Sequence, residues 1–437
     1  MRVGILASLD PSAGGSYQYT QTVLRALEGW SKNGCEDRFV VLSNDVHQPS
    51  STSPNHLGWE TRPLLEGPPL TRRLLNRVFQ TLGEGPHREA LRWMRRQLVT
   101  QEPSPKQDNP PNPDLIQYRP QMRRWLRRCK IDLLLDISFT ATGFETQIPY
   151  VYAVHDLQHR LQPEFPEVSA DGEWERREYH YRNGCRYATL ILADSEVGKE
   201  DILNFYGAYG VTADRVKVLP FLPASYLELD VAEFKLQTVR STYQLPDRYL
   251  FYPAQFWPHK NHARILQALG LLKHQRGIEI PIALCGSYGG QVRNRTFEEL
   301  MSLRSELGLE NAVHYLGYVP NEDMSALYAG AIALIMPTFF GPTNIPILEA
   351  WAHRCPVLTS DIRGIREQVG DAAVLADPRS VESIAEGIHR LWTDEGLRRN
   401  LSDLGRRRLD SYTREDFEGR VVQILQEAKE RVRSSLS

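Results

Sequence analysis

The chain has 437 residues, 41% of them hydrophobic, and a formal net charge of −2. That length exceeds what one core fills and fits two domains, while the near-neutral balance gives no overall pull toward nucleic acid. Five cysteines (Cys35, Cys129, Cys185, Cys285, Cys355) are scattered with no CxxC pair, which points to reduced thiols, not a disulfide framework. Met1-Arg2-Val3-Gly4-Ile5-Leu6 reads as a strand start, not a secretory leader, and no apolar run reaches spanning length. The expected location is cytoplasmic, at most peripheral at the inner face of the cell membrane.

Short apolar runs alternate with helical patterns along most of the chain, the mark of parallel α/β sheets. In the first half the runs predict strands at Val3–Ser8, Phe39–Ser43, Ile131–Asp136, Pro149–Val154, Leu190–Asp194 and Val216–Leu219. In the second half they fall at Tyr249–Pro253, Ile282–Gly286, Val313–Gly317, Ala331–Met336, Val357–Ser360 and Ala373–Leu375, with helices between them. Two strand–helix series predict two Rossmann-like domains, 1–225 and 226–415, joined within Phe221–Asp247. A charged, amphipathic helix at 416–437 ends the chain. The segment 49–120 breaks the pattern: prolines crowd Gln101–Pro120, so no regular element is expected there. Basic, partly apolar stretches at 71–96 and 119–130 have the character of helices that lie on anionic membrane surfaces. A solvated basic face packed on the first domain explains them equally well. No nucleic-acid motif accompanies the charge.

Five clusters carry chemistry. Right after the first strand, Asp10-Pro11-Ser12-Ala13-Gly14-Gly15-Ser16-Tyr17 frees the backbone for close approach and opens a helix toward a ligand. It is not GxGxxG, which disfavours a nicotinamide dinucleotide fold. A later strand ends in His155-Asp156, a polar pair aimed where α/β sheets bind ligands, and the next long one ends in Asp194-Ser195-Glu196. Tyr252 to His262 ends a strand and opens a helix, with Lys260 placed as a compact charge for a diphosphate. The fifth cluster is the most informative. An apolar strand runs into Phe339-Phe340-Gly341-Pro342-Thr343-Asn344-Ile345-Pro346-Ile347-Leu348-Glu349, turning into a helix at about Ile345. Free amides and the helix dipole there suit an anion, and Glu349, one turn on, suits sugar hydroxyls. A diphosphate plus a ribose fits both.

These motifs resemble the retaining glycosyltransferases of family 4, with the GT-B fold: α/β, two Rossmann-like domains facing each other across a deep cleft. The family's donor signature is Glu-x7-Glu; here Glu349 matches the second Glu, Asn344-Ile345-Pro346 the core, and Gly341 stands at the first Glu. Its Gly-Arg-x4-Lys motif has Lys260 in place and Gln255 at the arginine. Gly14 and Gly15 match its glycine loop, His155 and Asp156 its His-Asp pair, Ser195 its acceptor-side step, and Tyr318 the point where backbone meets the base.

The resemblance implies transfer of a sugar from a nucleotide-diphosphate sugar to a glycan or lipid-linked acceptor, with retention and in cell-surface polysaccharide synthesis. His155, Lys260 and Glu349 would be catalytic. Gly14, Gly15, Gln255, Tyr318, Thr343, Asn344 and Ile345 would bind the donor, and Asp156 and Ser195 would lie on the acceptor side. No Asp-x-Asp occurs, and His259 with His262 lack a carboxylate partner in sequence, so no metal and no cofactor beyond the donor are expected. Asp361, Arg363, Gly364 and Glu367 are expected on the nucleotide side. A GT-B nucleotide-sugar epimerase and a non-catalytic nucleotide-sugar-binding partner subunit are the alternatives.

Overall fold

A computed structural model describes residues 1–10, 14–43, 58–62, 64 and 110–436. Thirteen strands in it form two wholly parallel sheets. The first holds β1 (Arg2–Leu6), β2 (Arg38–Leu42), β3 (Glu60–Arg62), β4 (Leu133–Asp136), β5 (Tyr150–Val154), β6 (Leu190–Ala193) and β7 (Val216–Val218), in the order 3-2-1-4-5-6-7. The second holds β8 (Leu250–Pro253), β9 (Ile282–Cys285), β10 (Val313–Tyr315), β11 (Ala333–Met336), β12 (Val357–Ser360) and β13 (Val374–Ala376), in the order 10-9-8-11-12-13. Parallel strands need helical crossovers, and helices on both faces bury the strands completely. Leu133–Asp136, Ile282–Cys285 and Ala333–Met336 are buried at every position for that reason.

In each sheet the strand order reverses at one place, between β1 and β4 and between β8 and β11. Loops leaving the C-terminal ends of strands diverge at such a point and open a crevice. The loop after β1 carries Gly14. Those after β8 and β11 carry Lys260 and the Gly341–Asn344 turn, so three of the sequence clusters flank the two reversals.

The first sheet packs on both faces. Val3, Ile5, Phe39 and Val41 point into one cluster with Val23, Leu24 and Leu27 of the helix Gly15–Lys32. The final helix, Arg414–Leu436, is also part of that cluster, through Phe417, Val421, Ile424, Leu425 and Ala428. Leu6, Val40, Leu42 and Leu134 point into the other. The second sheet has its own core, which includes Phe251, Leu284, Ile335, Trp351 and Leu358.

One sequence expectation changes. The irregular stretch 49–120 contributes an edge strand, β3, paired with β2 from Val40↔Glu60 to Leu42↔Arg62. Its three residues, Glu-Thr-Arg, have no apolar run to announce them. The joint Phe221–Asp247 contains a helix, Glu233–Thr242. The basic segment 71–96 lies outside the described residues. The segment 119–130 forms the helix Pro120–Arg128, whose apolar side, Met122 and Leu126, is buried in the first sheet's second cluster.

Candidate active site

A cavity of about 510 Å³ lies between the two sheets' loop ends. Gly14, Gly15, His155, Asp156, Gln255, Lys260, Thr343, Asn344, Ile345 and Glu349 all line it, so ten residues singled out in sequence come together. Two do not. Tyr318 is 68% exposed and is not among the residues that line the cavity. Ser195 caps the helix Glu196–Tyr206, accepting from Gly198 N at 3.0 Å and donating to Asp194 at 3.0 Å. A larger cavity, about 980 Å³, sits at the opposite edge of the first sheet, where β5 and β6 begin, between Tyr150, Thr189 and the final helix. Parallel sheets bind ligands at the C-terminal ends of their strands, so the smaller interdomain cavity is the candidate site.

On the wall formed by the second sheet, Glu349 sits in the helix Ile345–Ala352 and is 4% exposed. Its Oε2 accepts from the Tyr328 hydroxyl at 2.6 Å and its Oε1 from Tyr226 at 3.2 Å. Burial pushes its carboxyl up, and the two phenols pull it back only in part. Neither tyrosine was visible as a site residue in sequence. Tyr226 lies in the joint between sheets and Tyr328 in the helix before β11, and nothing in their local patterns points at Glu349. Lys260 ends a short helical turn, Pro258–Lys260, and among the described residues its ammonium makes no ion pair. Burial lowers its pKa to about 8, against the pull of Asp156 and Glu167. Gln255 turns its Oε1 to the Trp257 indole N–H at 2.9 Å.

The turn before Glu349 is shaped around Gly341. Its φ is +137, and a Cβ there would lie 2.6 Å from Asn344 Nδ2. A side chain at that position would be strained whatever its chemistry. The Asn344 amide is already taken by Gln368 Oε1 at 2.9 Å, which corrects the expectation of a free anion-binding amide there.

On the opposite wall, burial pushes the Asp156 carboxyl up, but the Arg177 guanidinium at 3.0 Å, the Gln158 backbone N–H and the neighbouring histidines together leave it below the usual range. Burial lowers the His155 pKa, so the imidazole is neutral at pH 7. His259 gives its Nδ1–H to Glu167 Oε1 at 2.6 Å, and its backbone N–H reaches the same oxygen at 3.1 Å. Burial and Lys260 hold the His259 pKa down at about 4, so this contact is a neutral imidazole donating to a carboxylate. His262 packs between the rings of Tyr252 and Phe256.

Further contacts close the two halves on each other. Gln162 Nε2 donates to Phe339 O at 2.8 Å, and Thr343 Oγ1 donates to Asp194. Residues expected on the nucleotide side serve this seam. Arg363 pairs with Glu200 and with Asp201 at 2.7 Å, and Glu367 accepts from the amides of Glu196 and Val197 at 3.1 and 3.0 Å. Asp361 pairs with Arg366, and Gly364 lies against the Pro342 backbone. A third cavity, of about 240 Å³, opens beside this seam, lined by Leu161, Asp194, Phe340 and Ile362.

Two facing Rossmann-like halves with the site in the cleft define the GT-B class. Solved structures of that shape agree in fold. Anabaena HepE with UDP and glucose matches at a TM-score of 0.66 and 16% identity, covering 98% of this chain and 99% of that one. WaaG, a glycosyltransferase involved in lipopolysaccharide biosynthesis, matches at 0.61 and 16%, covering 94% and 95%. Residues 238–408 match the model of the glycosyl transferases group 1, and residues 70–220 that of Glycosyltransferase Family 4. The two models between them span both Rossmann-like halves, so the chain is similar to the group 1, family 4 glycosyltransferases. The O-antigen chain mannosyltransferase B of Escherichia coli is 31% identical over 264 residues, 57% of this chain and 65% of that protein. An MMP alpha-(1->4)-mannosyltransferase of Mycolicibacterium hassiacum is 24% identical over 322 residues, 70% of this chain and 73% of that protein. The chain thus spans just under two thirds of the first relative's length, and about a third (32%) of a serotype-specific E. coli mannosyltransferase, WbdA.

Proposed function

We propose that the protein transfers a hexosyl group, mannosyl first among the candidates, from a nucleotide-diphosphate sugar to a glycan or lipid-linked acceptor in cell-surface polysaccharide synthesis. One observation carries this reading. An ammonium without an ion-pair partner among the described residues, Lys260, and a carboxylate fixed by two phenols, Glu349, line the same interdomain cavity at a strand-order reversal. The mannosyltransferases among the relatives favour mannose.

In this reading the anomeric C–O bond to the diphosphate breaks while an acceptor oxygen attacks from the same face, and the departing phosphate takes the acceptor's proton. Lys260 and the amides of Thr343 and Ile345 offset the charge that develops on the leaving group. Gln255 adds a hydrogen-bonding amide where the family has an arginine, Glu349 holds the ribose, and His155 positions the sugar. Anomeric retention and independence of a metal belong to the proposal, as does acceptor placement near Asp156. Contact with an anionic membrane surface would be electrostatic, through the exposed Arg124, Arg127, Arg128 and Lys130.

The test is a thermal-shift panel with UDP, GDP, ADP and dTDP, without added metal, on wild type and Lys260→Ala, followed by sugar transfer to a mannose-terminated glycan. A ligand that binds only the native state raises its midpoint. A rise with one base, lost in the variant, supports the donor site. Interconversion of free donor without acceptor would favour the epimerase, and binding without turnover would favour the partner subunit that Gly341 and Gln255 allow. Normal transfer by Lys260→Ala would sink the assignment.

A further inference from the structure

Four polar side-chain atoms in the cleft are buried and, among the described residues, have no hydrogen-bond partner: His155 Nε2, Gln158 Nε2, Glu167 Oε2 and Asn344 Nδ2. All four residues line the 510 Å³ cavity. Gln158 is 3% exposed and Asn344 6%, and the Glu167 side chain is 4% exposed. Buried polar groups without partners are uncommon in native proteins, and each calls for a reason. Here the set is balanced. His155 gives one N–H to the Ile137 carbonyl, which leaves its Nε2 as an acceptor beside that of Glu167. Gln158 and Asn344 offer donors. Hydroxyl groups, which donate and accept at once, satisfy such a set.

Glu167 has the most specific position. Its Oε1 is occupied twice by His259, through the ring N–H and the backbone N–H. This holds the carboxylate at His259, the residue that precedes Lys260, while Oε2 is left without a partner among the described residues. Glu167 and Lys260 are close enough to interact electrostatically. A group bound at Oε2 therefore lies next to the position assigned to the diphosphate, where the donor's sugar must be. The turn at Gly341, on the opposite wall, has no room for a carboxylate of its own.

We propose that Glu167 supplies the carboxylate that holds the hydroxyls of the donor sugar, in place of a carboxylate at position 341. This rests on the nucleotide-sugar reading above. The acid comes from the first sheet's half of the molecule while the nucleotide is held by the second, so the sugar is fully bound only when the two halves meet. Gln158 and Asn344 donate to the same hydroxyls.

Glu167→Gln is the informative variant. The amide oxygen can still accept both His259 contacts, while the free position changes from acceptor to donor. The probes are GDP against GDP-mannose and UDP against UDP-glucose, titrated without acceptor, with thermal midpoints recorded alongside. The expected result is a nucleotide-sugar affinity lower by roughly tenfold or more, the scale of a hydrogen bond to a charged group, with the free diphosphate affected less than about twofold. Equal loss of both ligands would make Glu167 a structural residue only and overturn the inference. So would unchanged affinity for both, or an effect seen only in the acceptor's KM. If wild type binds none of the four probes, the nucleotide-sugar reading itself falls, and the inference with it.

Discussion

The Tyr328 hydroxyl donates to Glu349 Oε2 at 2.6 Å inside the second sheet's core, with the Tyr328 ring stacked on His353. The acid assigned to the ribose is thus held from behind by a buried phenol, and Tyr226 reaches its other oxygen from the crossing between sheets. Tyr328→Phe removes one donor from a buried carboxylate. The expected cost is about 1–3 kcal/mol of unfolding free energy, and weaker nucleoside diphosphate binding as Glu349 loses its fixed orientation. Chemical denaturation and titration calorimetry on the same variant check both. A variant as stable as wild type with unchanged binding would show that Tyr226 alone holds the acid.

Lys260 gives a pH signature. Its folded-state pKa is lowered to about 8 from 10.5, so between those values the unfolded chain binds more protons than the folded one. This group therefore makes the empty protein more stable as pH rises through that window. Ligand binding has the opposite dependence, because a diphosphate needs the ammonium. Nucleoside diphosphate affinity should fall above about pH 8, by at most about tenfold per pH unit, and the decline should vanish in Lys260→Met. Affinity that is flat to pH 9.5 in wild type would remove Lys260 from the diphosphate.

Much of the fold was legible because parallel strands buried on both faces leave unbroken apolar runs, such as Leu133-Leu134-Leu135 and Ala333-Leu334-Ile335-Met336. Every run picked from sequence corresponds to a strand, though those expected from Ile131 and Ala331 begin at Leu133 and Ala333. The missed strand, Glu60–Arg62, is a short edge element that packs little and so carries no hydrophobic signal. The glycine turns, Lys260 and Glu349 were legible for a different reason: strand ends fix where loops go, and the loops carry the motifs. What was not legible comes from pairings over long sequence separations. Tyr226 meets Glu349 across 123 residues and Glu167 meets His259 across 92. Neither Tyr226 nor Glu167 belongs to a periodic pattern that would mark it. The seam residues Arg363 and Glu367 lie beside the cleft, and sequence proximity alone did not distinguish a ligand contact from an ion pair.

Gly341 bears on whether the family's carboxylate can simply be put back. With φ at +137 and Asn344 Nδ2 at 2.6 Å from any Cβ, Gly341→Glu must shift the turn that leads into Glu349. The expected outcome is a loss of about 1–3 kcal/mol in stability and weaker nucleotide binding, with no gain in transfer. Thermal unfolding and a transfer assay decide it. A stable Gly341→Glu protein with higher turnover would mean that the turn adapts and that the glycine is not a structural requirement.

Asp194 connects the two halves through Thr343, and its chemistry sets a second pH dependence. Burial raises its pKa to about 7 from 3.8, against the hydrogen bonds from Thr343 and Ser195. Between those values the folded state binds more protons than the unfolded one, so this group lowers stability as pH rises from about 4 to about 7 and has no further effect above. Asp136, raised to about 7 by its own burial, acts in the same direction. Asp194→Asn keeps an oxygen for Thr343 and removes one of the two titrations. Relative to wild type, the variant should therefore gain stability as pH goes from 5 to 7, by an amount on the order of one to a few kcal/mol, and should run parallel to it from pH 7 to 9. Denaturant unfolding at a series of pH values reads this directly. A constant offset between the two proteins across the whole range would show that Asp194 is already ionised in the closed form, and that Thr343 donates to a carboxylate at every pH.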